Sequence, residues 1–318
     1  MEPSEYAVKY PFTPEAKELV NARGTLLTEE VVERAVQRIL LAMEGKSQGS
    51  IPIHESARVE EVASFGAARM ILGMMRNRFL TNKFAVSESK RVNSLLQKED
   101  TKTIEQVALQ FGMVFEEKDS QLFVSIPVFL KYTPKSIDYK LINRTIILGK
   151  VPINTHERIR MVEEATRKYI EKIPLVKNAP DILKNAEEKI KAALPKIEGP
   201  RLPFTLKEGA HPPCIERLFE EVKKHENLPH QARWYLAVYL LAKGMPLEEM
   251  VNLYSNLPDF NEKTTRYQIE HAQKKAYAVP SCATIQTWGL CCAECKIGSP
   301  LNWKGKIWGQ EKREEKGT

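Results

Sequence analysis

The five cysteines of this chain are the residues whose type and spacing most strongly suggest chemistry. All lie in its last third; Cys282, Cys291, Cys292 and Cys295 fall within one short segment, and Cys214 stands alone. A structural zinc site usually takes its thiolates as two closely spaced pairs, and only Cys295 with Cys291 or Cys292 forms such a pair here. A cubane iron–sulfur cluster accepts four thiolates from separated segments. The pattern favours a cluster, and zinc or buried structural thiols are the other interpretations.

Signatures of nucleotidyl transfer or hydrolysis are weak in this sequence. The run Gly45-Lys46-Ser47 resembles the end of a phosphate-binding loop, but Leu40 stands where that motif needs its first glycine. Two-metal phosphoryl transfer needs carboxylates held close together. The aspartates are scattered over positions 100, 119, 138, 181 and 259. A polymerase or hydrolase site built on this chain alone is therefore not expected, and we predict no catalytic residue.

Charge and hydropathy bound the class of protein. The 318 residues include 48 Lys and Arg against 41 Asp and Glu, a net charge of +7, and this balance is compatible with a nucleic acid or another acidic partner. No apolar stretch typical of a signal peptide follows the start, and no run approaches the ~18–20 apolar residues of a membrane span. We therefore expect a cytoplasmic protein, in which clustered cysteines bind metal more often than they form disulfides.

The elements that must position the cysteines are predominantly helical. Apolar residues recur at helical spacing through most of the first 110 residues and again after position 213. The period changes between 111 and 154, where short β-branched and aromatic runs at 113–116, 122–126 and 145–148 predict strands. We predict a mainly α fold, with a helical N-terminal domain at 1–195 that contains this small α/β subdomain. A Pro-rich linker at 196–213 and an all-helical domain at 214–318 follow.

Seven motifs of the C-terminal half are shared, in order and spacing, with one known family. They are Pro212-Pro-Cys214, Asn227-Leu-Pro-His230-Gln-Ala-Arg233, Tyr239-Leu-Leu-Ala-Lys243-Gly244, Arg266-Tyr-Gln-Ile-Glu-His271, Pro280-Ser-Cys282, Gly289-Leu-Cys291 and Pro300-Leu-Asn-Trp303. Over about 100 residues this segment resembles the C-terminal domain of the large subunit of archaeal and eukaryotic DNA primase. Near the start, Tyr10-Pro-Phe12 resembles the archaeal members of that family.

The resemblance implies a cofactor and a role. It implies a [4Fe–4S] cluster on Cys214, Cys282, Cys291 and Cys295, with Cys291 favoured over Cys292 because Gly289-Leu-Cys291 aligns with the third family ligand. It also implies the non-catalytic subunit of a heterodimeric primase that serves DNA replication. The N-terminal domain would dock a small catalytic subunit. The cluster domain would help bind the single-stranded DNA template, the RNA primer and the initiating nucleoside triphosphate.

Residues near the predicted cluster suit polyanion binding. Basic side chains supply most of the affinity for phosphates, and aromatic rings stack on bases. The predicted nucleic-acid or nucleotide contacts are His230, Arg233, Tyr235, Lys243, Arg266 and His271. Trp234 and Tyr239 either stack on bases or pack in the core of an amphipathic helix, and the sequence leaves both readings open.

Two other classes of function are also compatible with the sequence. One is a stand-alone zinc- or cluster-bearing DNA-processing enzyme, such as a glycosylase or nuclease, with Glu270 or Lys243 as the candidate catalytic group. The other is a scaffold protein with a purely structural metal module. A catalytic carboxylate or lysine in the cysteine-bearing domain would distinguish the enzyme from the primase subunit.

Overall fold

The structure is a computed structural model that describes residues 4–22, 27–47, 49, 51–173, 176, 179–194 and 210–305. The chain divides into two compact units. The N-terminal unit comprises residues 1–134 and 141–196, and the C-terminal unit comprises residues 135–140 and 197–318. Most of the predicted linker at 196–213 lies outside the described residues, which resume at 210.

The N-terminal unit is a helical assembly that carries a small sheet. Its first helices are α1 (Glu5–Lys9), α2 (Pro14–Ala22), α3 (Glu29–Met43), α4 (Glu55–Met75), α5 (Arg78–Leu96) and α6 (Thr101–Leu109). The sheet region holds β1 (Phe115–Lys118), β2 (Gln121–Ser125), α7 (Ile126–Tyr132) and β3 (Lys150–Ile153). The unit ends with α8 (Thr155–Glu171) and α9 (Asp181–Ala193).

Local sequence explains where these helices begin and end. The side chain of Thr28 accepts a hydrogen bond from the backbone N–H of Val31 and caps α3. Between α4 and α5, Arg76 adopts a left-handed conformation, and the Asn77 side chain then caps α5. At α8, Asn154 and Glu157 form a complete capping box. The predicted helical region of the first 110 residues therefore contains a tight reversal between α4 and α5.

The sheet is antiparallel in the order β1-β2-β3, with Phe115 opposite Val124 and Val124 opposite Val151. One predicted strand is wrong: the segment 145–148 is not a strand, and β3 starts at Lys150. Leu148 and Gly149 have φ values of 49° and 76°, so the chain reverses there and Ile147 keeps only an isolated bridge to Lys150. An apolar β-branched run does not reveal such a reversal.

A buried ionic network lies inside the N-terminal unit. The Arg38 guanidinium donates to both carboxylate oxygens of Glu88, from Nε at 2.7 Å and Nη2 at 2.9 Å, and Nη1 donates to Glu61 at 3.1 Å. Burial by itself would lower the pKa of Arg38 and raise that of Glu88. Their mutual attraction outweighs it, so the pKa of Arg38 is raised and that of Glu88 is lowered. Each buried charge here is compensated by a protein partner.

The C-terminal unit, over its described residues 135–140 and 210–305, contains helices and no strand. Its helices are α10 (Pro213–Lys223), α11 (His230–Ala242), α12 (Leu247–Tyr254), α13 (Glu262–Lys274) and α14 (Cys282–Thr287). The last of these is a short helix of six residues. The predicted fold class, mainly α with a small α/β subdomain, is confirmed. Among the described helices, none is both long and apolar enough to cross a membrane.

Candidate metal centre and nucleic-acid surface

Four cysteines line one cavity of about 220 Å³ in the C-terminal unit. They are Cys214 in the first turn of α10, Cys282 at the first position of α14, and Cys291 and Cys295 in the segment that follows α14. Cys292 is exposed and is not among the lining residues. The structure therefore brings the four predicted ligands to one cavity. Cys292 does not line it, but its thiol is near enough to contribute to the raised pKa of Cys214.

Capping and tight turns hold the lining segments in place. Pro212 and Pro213 begin α10, and the Ser281 side chain accepts from the Thr284 N–H to cap α14. The backbone N–H of Cys282 donates to the carbonyl of Gly298 at 2.9 Å, which ties the start of α14 to the end of the cysteine-bearing loop. Gly298 has φ 69°, a conformation that a side chain would strain. These contacts place ligands that are far apart in sequence around one cavity.

The thiols of the cavity disfavour one another's ionised forms. Burial raises the pKa of Cys214, Cys282 and Cys295, and repulsion from neighbouring cysteines adds to the increase in each case. The thiols of Cys291 and Cys295 both donate to the carbonyl oxygen of Ala293, at 3.2 and 3.8 Å. A bound cation reverses this preference because it stabilises thiolates directly. The donor set therefore fits a thiophilic metal group.

The arrangement of the thiols bears on which metal group the cavity could hold. Across the described residues, no three His, Cys, Asp or Glu side chains converge closely enough to hold a single metal ion. Four-coordinate zinc needs its thiolates gathered about one atom. In a cubane cluster each thiolate binds a different iron, so the sulfurs stand further apart. The four cysteines that line the cavity supply four thiols, the donor set that either metal group would need.

A buried tyrosine contacts the cavity, which corrects one predicted contact. Tyr235 on α11 is wholly buried, and its hydroxyl lies 3.2 Å from the Cys214 sulfur. A ring enclosed by the core cannot stack on a base, so the assignment of Tyr235 to nucleic-acid binding is corrected. Tyr239, one turn later, is also wholly buried, and its hydroxyl lies 2.9 Å from Nδ1 of His211. Of the two interpretations of Tyr239, base stacking and core packing, its burial supports core packing.

Two predicted arginines are engaged with carboxylates. Arg233 donates from Nη2 to Asp259 at 2.6 Å and from Nε to the Leu228 carbonyl at 2.9 Å. Arg266 forms a two-pronged contact with Glu248, and this bonding raises the pKa of Arg266 above its usual range. A phosphate approaching either arginine competes with a carboxylate already in place. Their charges are therefore less available to a polyanion than the sequence suggested.

The other predicted basic contacts lie at the surface. His230 is exposed at the start of α11, and Lys243 is exposed at its end, with Nζ 5.7 Å from the centre of the Tyr239 ring. His271 is exposed on α13 and stacks on Tyr267 with ring centres 6.1 Å apart. The prediction that these three residues contact nucleic acid remains open, and their exposure is compatible with it.

Several aromatic side chains lie next to one another on the C-terminal unit, and the sequence predicts only some of their contacts. Trp234 meets Tyr277 and Trp288 edge-on, with ring centres 5.7 and 5.9 Å apart, and Tyr277 lies 6.1 Å from His271. Tyr267 is 67% exposed and Tyr277 is 44% exposed. We name this set, Trp234, Tyr267, His271, Tyr277 and Trp288, the aromatic strip. Spacing on α13 pairs Tyr267 with His271, but only the fold adds the other three rings.

The sequence does contain a short match to a hydrolase motif, so the expectation that it has no Gly-x-Ser-x-Gly is wrong. Gly45-Lys-Ser47-Gln-Gly49 fits the Gly-x-Ser-x-Gly pattern of a nucleophile elbow. That elbow requires a strand before the serine and a helix after it. Ser47 instead follows the C-terminal end of α3, and Gln48 lies outside the described residues. The match therefore lacks the structural context that would activate the serine.

Comparisons with known proteins agree with this picture. Residues 205–314 match the family described as the C-terminal domain of the large subunit of eukaryotic and archaeal DNA primase. A DNA primase large subunit PriL from Methanocella arvoryzae is 30% identical over 310 residues, covering 91% of this chain and 84% of that protein. The protein of the same name from Methanosarcina mazei is 30% identical over 327 residues, covering 95% of this chain and 88% of that protein. Likeness that extends over both units confirms the resemblance found in the sequence: this chain belongs to the family of archaeal DNA primase large subunits.

Proposed function

We propose that this chain is the iron–sulfur-bearing, non-catalytic subunit of a heterodimeric primase and enables RNA primer initiation on single-stranded DNA during replication. The observation that carries the proposal is the convergence of Cys214, Cys282, Cys291 and Cys295 on one cavity in a chain of this family. The partner is a small catalytic subunit that performs nucleotidyl transfer. Archaeal chromosomes lie in the cytoplasm, so we expect the complex to work there.

In this proposal, the four cavity cysteines hold a [4Fe–4S] cluster. Cys214 contributes from α10, Cys282 from α14, and Cys291 and Cys295 from the following loop. When bound, the cluster supplies a rigid cross-link between these segments and a redox-active centre. The cross-link would fix α10 against α14 and so hold the loop that carries Trp288 beside α11. The residues of the chain, rather than the cluster, would then contact the template.

The aromatic strip offers a surface for single-stranded template or primer. Base–aromatic stacking contributes about 1–3 kcal/mol per base and tolerates any sequence. Tyr267 and Tyr277 present ring surface to solvent, and His230 lies one helical turn before Trp234 on α11. Lys243 adds an exposed charge for a phosphate or an initiating triphosphate. Arg233 and Arg266 contribute only where a phosphate displaces Asp259 or Glu248.

An exposed apolar hairpin in the N-terminal unit is the proposed docking site for the small subunit. Leu148 is 93% exposed and Ile142 is 90% exposed, while Ile146 and Ile147 are each about half exposed. Soluble proteins rarely leave aliphatic side chains grouped on the surface without a partner. We name Ile142, Ile146, Ile147 and Leu148 the docking loop.

The backbone of the docking loop strengthens this assignment. Leu148 adopts φ 49° in the tight turn between Ile147 and Lys150, where Asn or Gly is the usual residue. A non-glycine residue in this region costs of order 1–2 kcal/mol. A strained, exposed leucine contributes nothing to the core of its own unit. Burial of this leucine by a partner protein would account for an apolar residue at such an exposed position.

The direct test is co-expression with the small primase subunit of the same organism, followed by anaerobic purification and an RNA primer-synthesis assay on single-stranded DNA. We expect a one-to-one complex that initiates primers, a small subunit that initiates poorly by itself, and a large subunit that is inactive alone. Nucleotidyl transfer by the isolated large subunit would contradict the non-catalytic role. Absence of a complex would contradict the proposal that the small subunit is the partner of this chain.

A further inference from the structure

A contact between Tyr235 and Cys214 joins the cavity to the core that surrounds it. The Tyr235 hydroxyl lies 3.2 Å from the Cys214 sulfur, and both side chains are buried. Cys214 is the one buried cysteine; Cys282, Cys291 and Cys295 are partly exposed. Water therefore reaches the other three lining sulfurs more readily than it reaches the Cys214 sulfur. For Cys214, the Tyr235 hydroxyl provides the hydrogen bond that water can provide to the others.

The direction of this hydrogen bond follows from the chemistry of the ligand. In the thiol form either atom can donate. A thiolate bound to iron carries no proton, so it can only accept, and the phenolic hydroxyl becomes the donor. Hydrogen bonds to an ionised acceptor are stronger than neutral ones and strengthen as negative charge on the acceptor grows. The bond is therefore tighter when the cluster carries an additional electron.

We propose that Tyr235 is a positioning residue whose hydroxyl donates to the Cys214 ligand and raises the reduction potential of the cluster. The inference rests on the proposed [4Fe–4S] centre and extends it. Hydrogen bonds to cluster sulfurs are among the factors that set the potential, because they stabilise the reduced state more than the oxidised state. Removing the donor destabilises the reduced cluster and leaves the four iron ligands unchanged.

Tyr239 provides a matched control on the same helix. It lies one turn after Tyr235, is equally buried, and places its hydroxyl 2.9 Å from His211 Nδ1. Replacing either tyrosine with phenylalanine removes one oxygen atom from the same core. Any general effect of a lost buried hydroxyl appears in both variants, whereas an effect through Cys214 appears only in Tyr235→Phe.

The experiment is a redox titration of the full chain, reconstituted anaerobically with iron and sulfide and followed by electron paramagnetic resonance. At the midpoint potential of the wild type, we expect Tyr235→Phe to lower the ratio of reduced to oxidised cluster about tenfold, or about 59 mV for a one-electron couple. Tyr239→Phe should keep the wild-type midpoint. Coincident midpoints for Tyr235→Phe and wild type, or equal shifts in both variants, would overturn the inference.

A second measurement covers the case in which Tyr235→Phe does not retain the cluster. Wild-type protein is labelled with tyrosine that carries ¹⁷O in the phenol group, and the reduced cluster is examined by electron–nuclear double resonance. We expect a ¹⁷O coupling from the hydroxyl beside Cys214, and a spectrum without it would overturn the inference. Failure of the wild type to bind iron would overturn the cluster itself, whereas loaded protein with unshifted midpoints would refute only the role of Tyr235.

Discussion

In the N-terminal unit, Arg38 is buried against Glu88 and Glu61, whereas in the C-terminal unit four cysteine thiols face one cavity. The first arrangement pairs opposite charges and completes its hydrogen bonds within the protein. The second gathers like groups, whose ionised forms repel one another. Burial of polar groups is costly unless they are compensated. The N-terminal unit compensates its buried charges with its own side chains, whereas in the C-terminal unit the proposed metal group would compensate the ionised cysteines.

The same contrast extends to the surfaces of the two units. The N-terminal unit exposes the aliphatic docking loop, which suits a protein partner. The C-terminal unit exposes the aromatic strip with nearby basic side chains, which suits single-stranded nucleic acid. In the proposed function, the N-terminal unit would bind the protein partner and the C-terminal unit the nucleic acid. Variants confined to one unit should alter stability or binding in that unit and leave the other unchanged.

The largest effect is expected from replacing the cysteines that line the cavity. Cys214→Ser or Cys282→Ser should abolish cluster binding and the cooperative unfolding of the C-terminal unit, because metal binding and folding are coupled in such sites. Iron and sulfide analysis of anaerobically purified wild type should give about four of each per chain. Circular dichroism melting would follow the loss of structure.

Cys292→Ser is the matched control for the ligand variants, since Cys292 is exposed and outside the cavity lining. It should retain full iron content. Iron loss equal to that of Cys282→Ser would place Cys292, rather than Cys291, in the ligand set. Stoichiometric zinc without iron would refute the cluster.

The next largest effect is expected in the buried network of Arg38, Glu61 and Glu88. Glu88→Gln keeps the shape but leaves the Arg38 charge only partly compensated, and we expect a loss of about 3 kcal/mol in the free energy of unfolding. Chemical denaturation monitored on the N-terminal unit measures it. Asp181→Asn removes an exposed partner of Lys184 and should leave the midpoint unchanged. Equal stabilities for Glu88→Gln and wild type would show that the network is not needed.

The Glu88 network also predicts a pH dependence. The pKa of Glu88 in the folded protein is held below its usual value by Arg38. Its contribution is therefore complete above the pKa of an unfolded glutamate, about 4.3, and is lost as the pH falls through the lowered value in the folded state. Denaturation curves of wild type and Glu88→Gln should converge as the pH is lowered. A difference that persisted under strongly acidic conditions would contradict this origin.

The docking loop should give a binding effect without a folding effect. Leu148→Asp puts a charge at the centre of the proposed interface, and we expect about a hundredfold weaker binding to the small subunit, or about 2.8 kcal/mol. Isothermal titration calorimetry measures it. Ile53→Asp, at another exposed aliphatic position of the same unit, is the control. Equal losses in the two variants would mean that the docking loop is not the interface.

The smallest expected effect concerns the aromatic strip. Tyr267→Ala should weaken binding of single-stranded DNA about tenfold, or about 1.4 kcal/mol, through loss of one stacking platform. Because no charge is removed, the slope of affinity against salt concentration should stay the same, whereas Lys243→Ala should reduce it. Gln268→Ala, the exposed neighbour on α13, is the control. Unchanged affinity in Tyr267→Ala would remove the strip from the proposed interface.

Much of the fold could be predicted because local physics decides it. Apolar periodicity predicts the mainly helical regions, and caps such as Thr28 and Asn154 fix where individual helices begin. The predicted strand at 145–148 failed because Leu148 adopts a positive φ that no apolar run reveals. The bounds of α14 are not evident from the sequence, because only one of its six residues, Ile285, is buried and no periodic apolar pattern results. Short elements depend on tertiary contacts more than on propensity.

The sequence by itself determined which residue types are available: five cysteines in the last third of the chain, a basic balance of charge, and the motifs of a primase large subunit. Only the tertiary structure decided what they face. It turned four cysteines toward one cavity, buried Tyr235 beside Cys214, engaged Arg233 with Asp259, and assembled the aromatic strip from α11, α13 and the segments around α14. Spacing along a helix fixes neighbours three or four residues apart, whereas contacts between helices depend on how their buried faces pack.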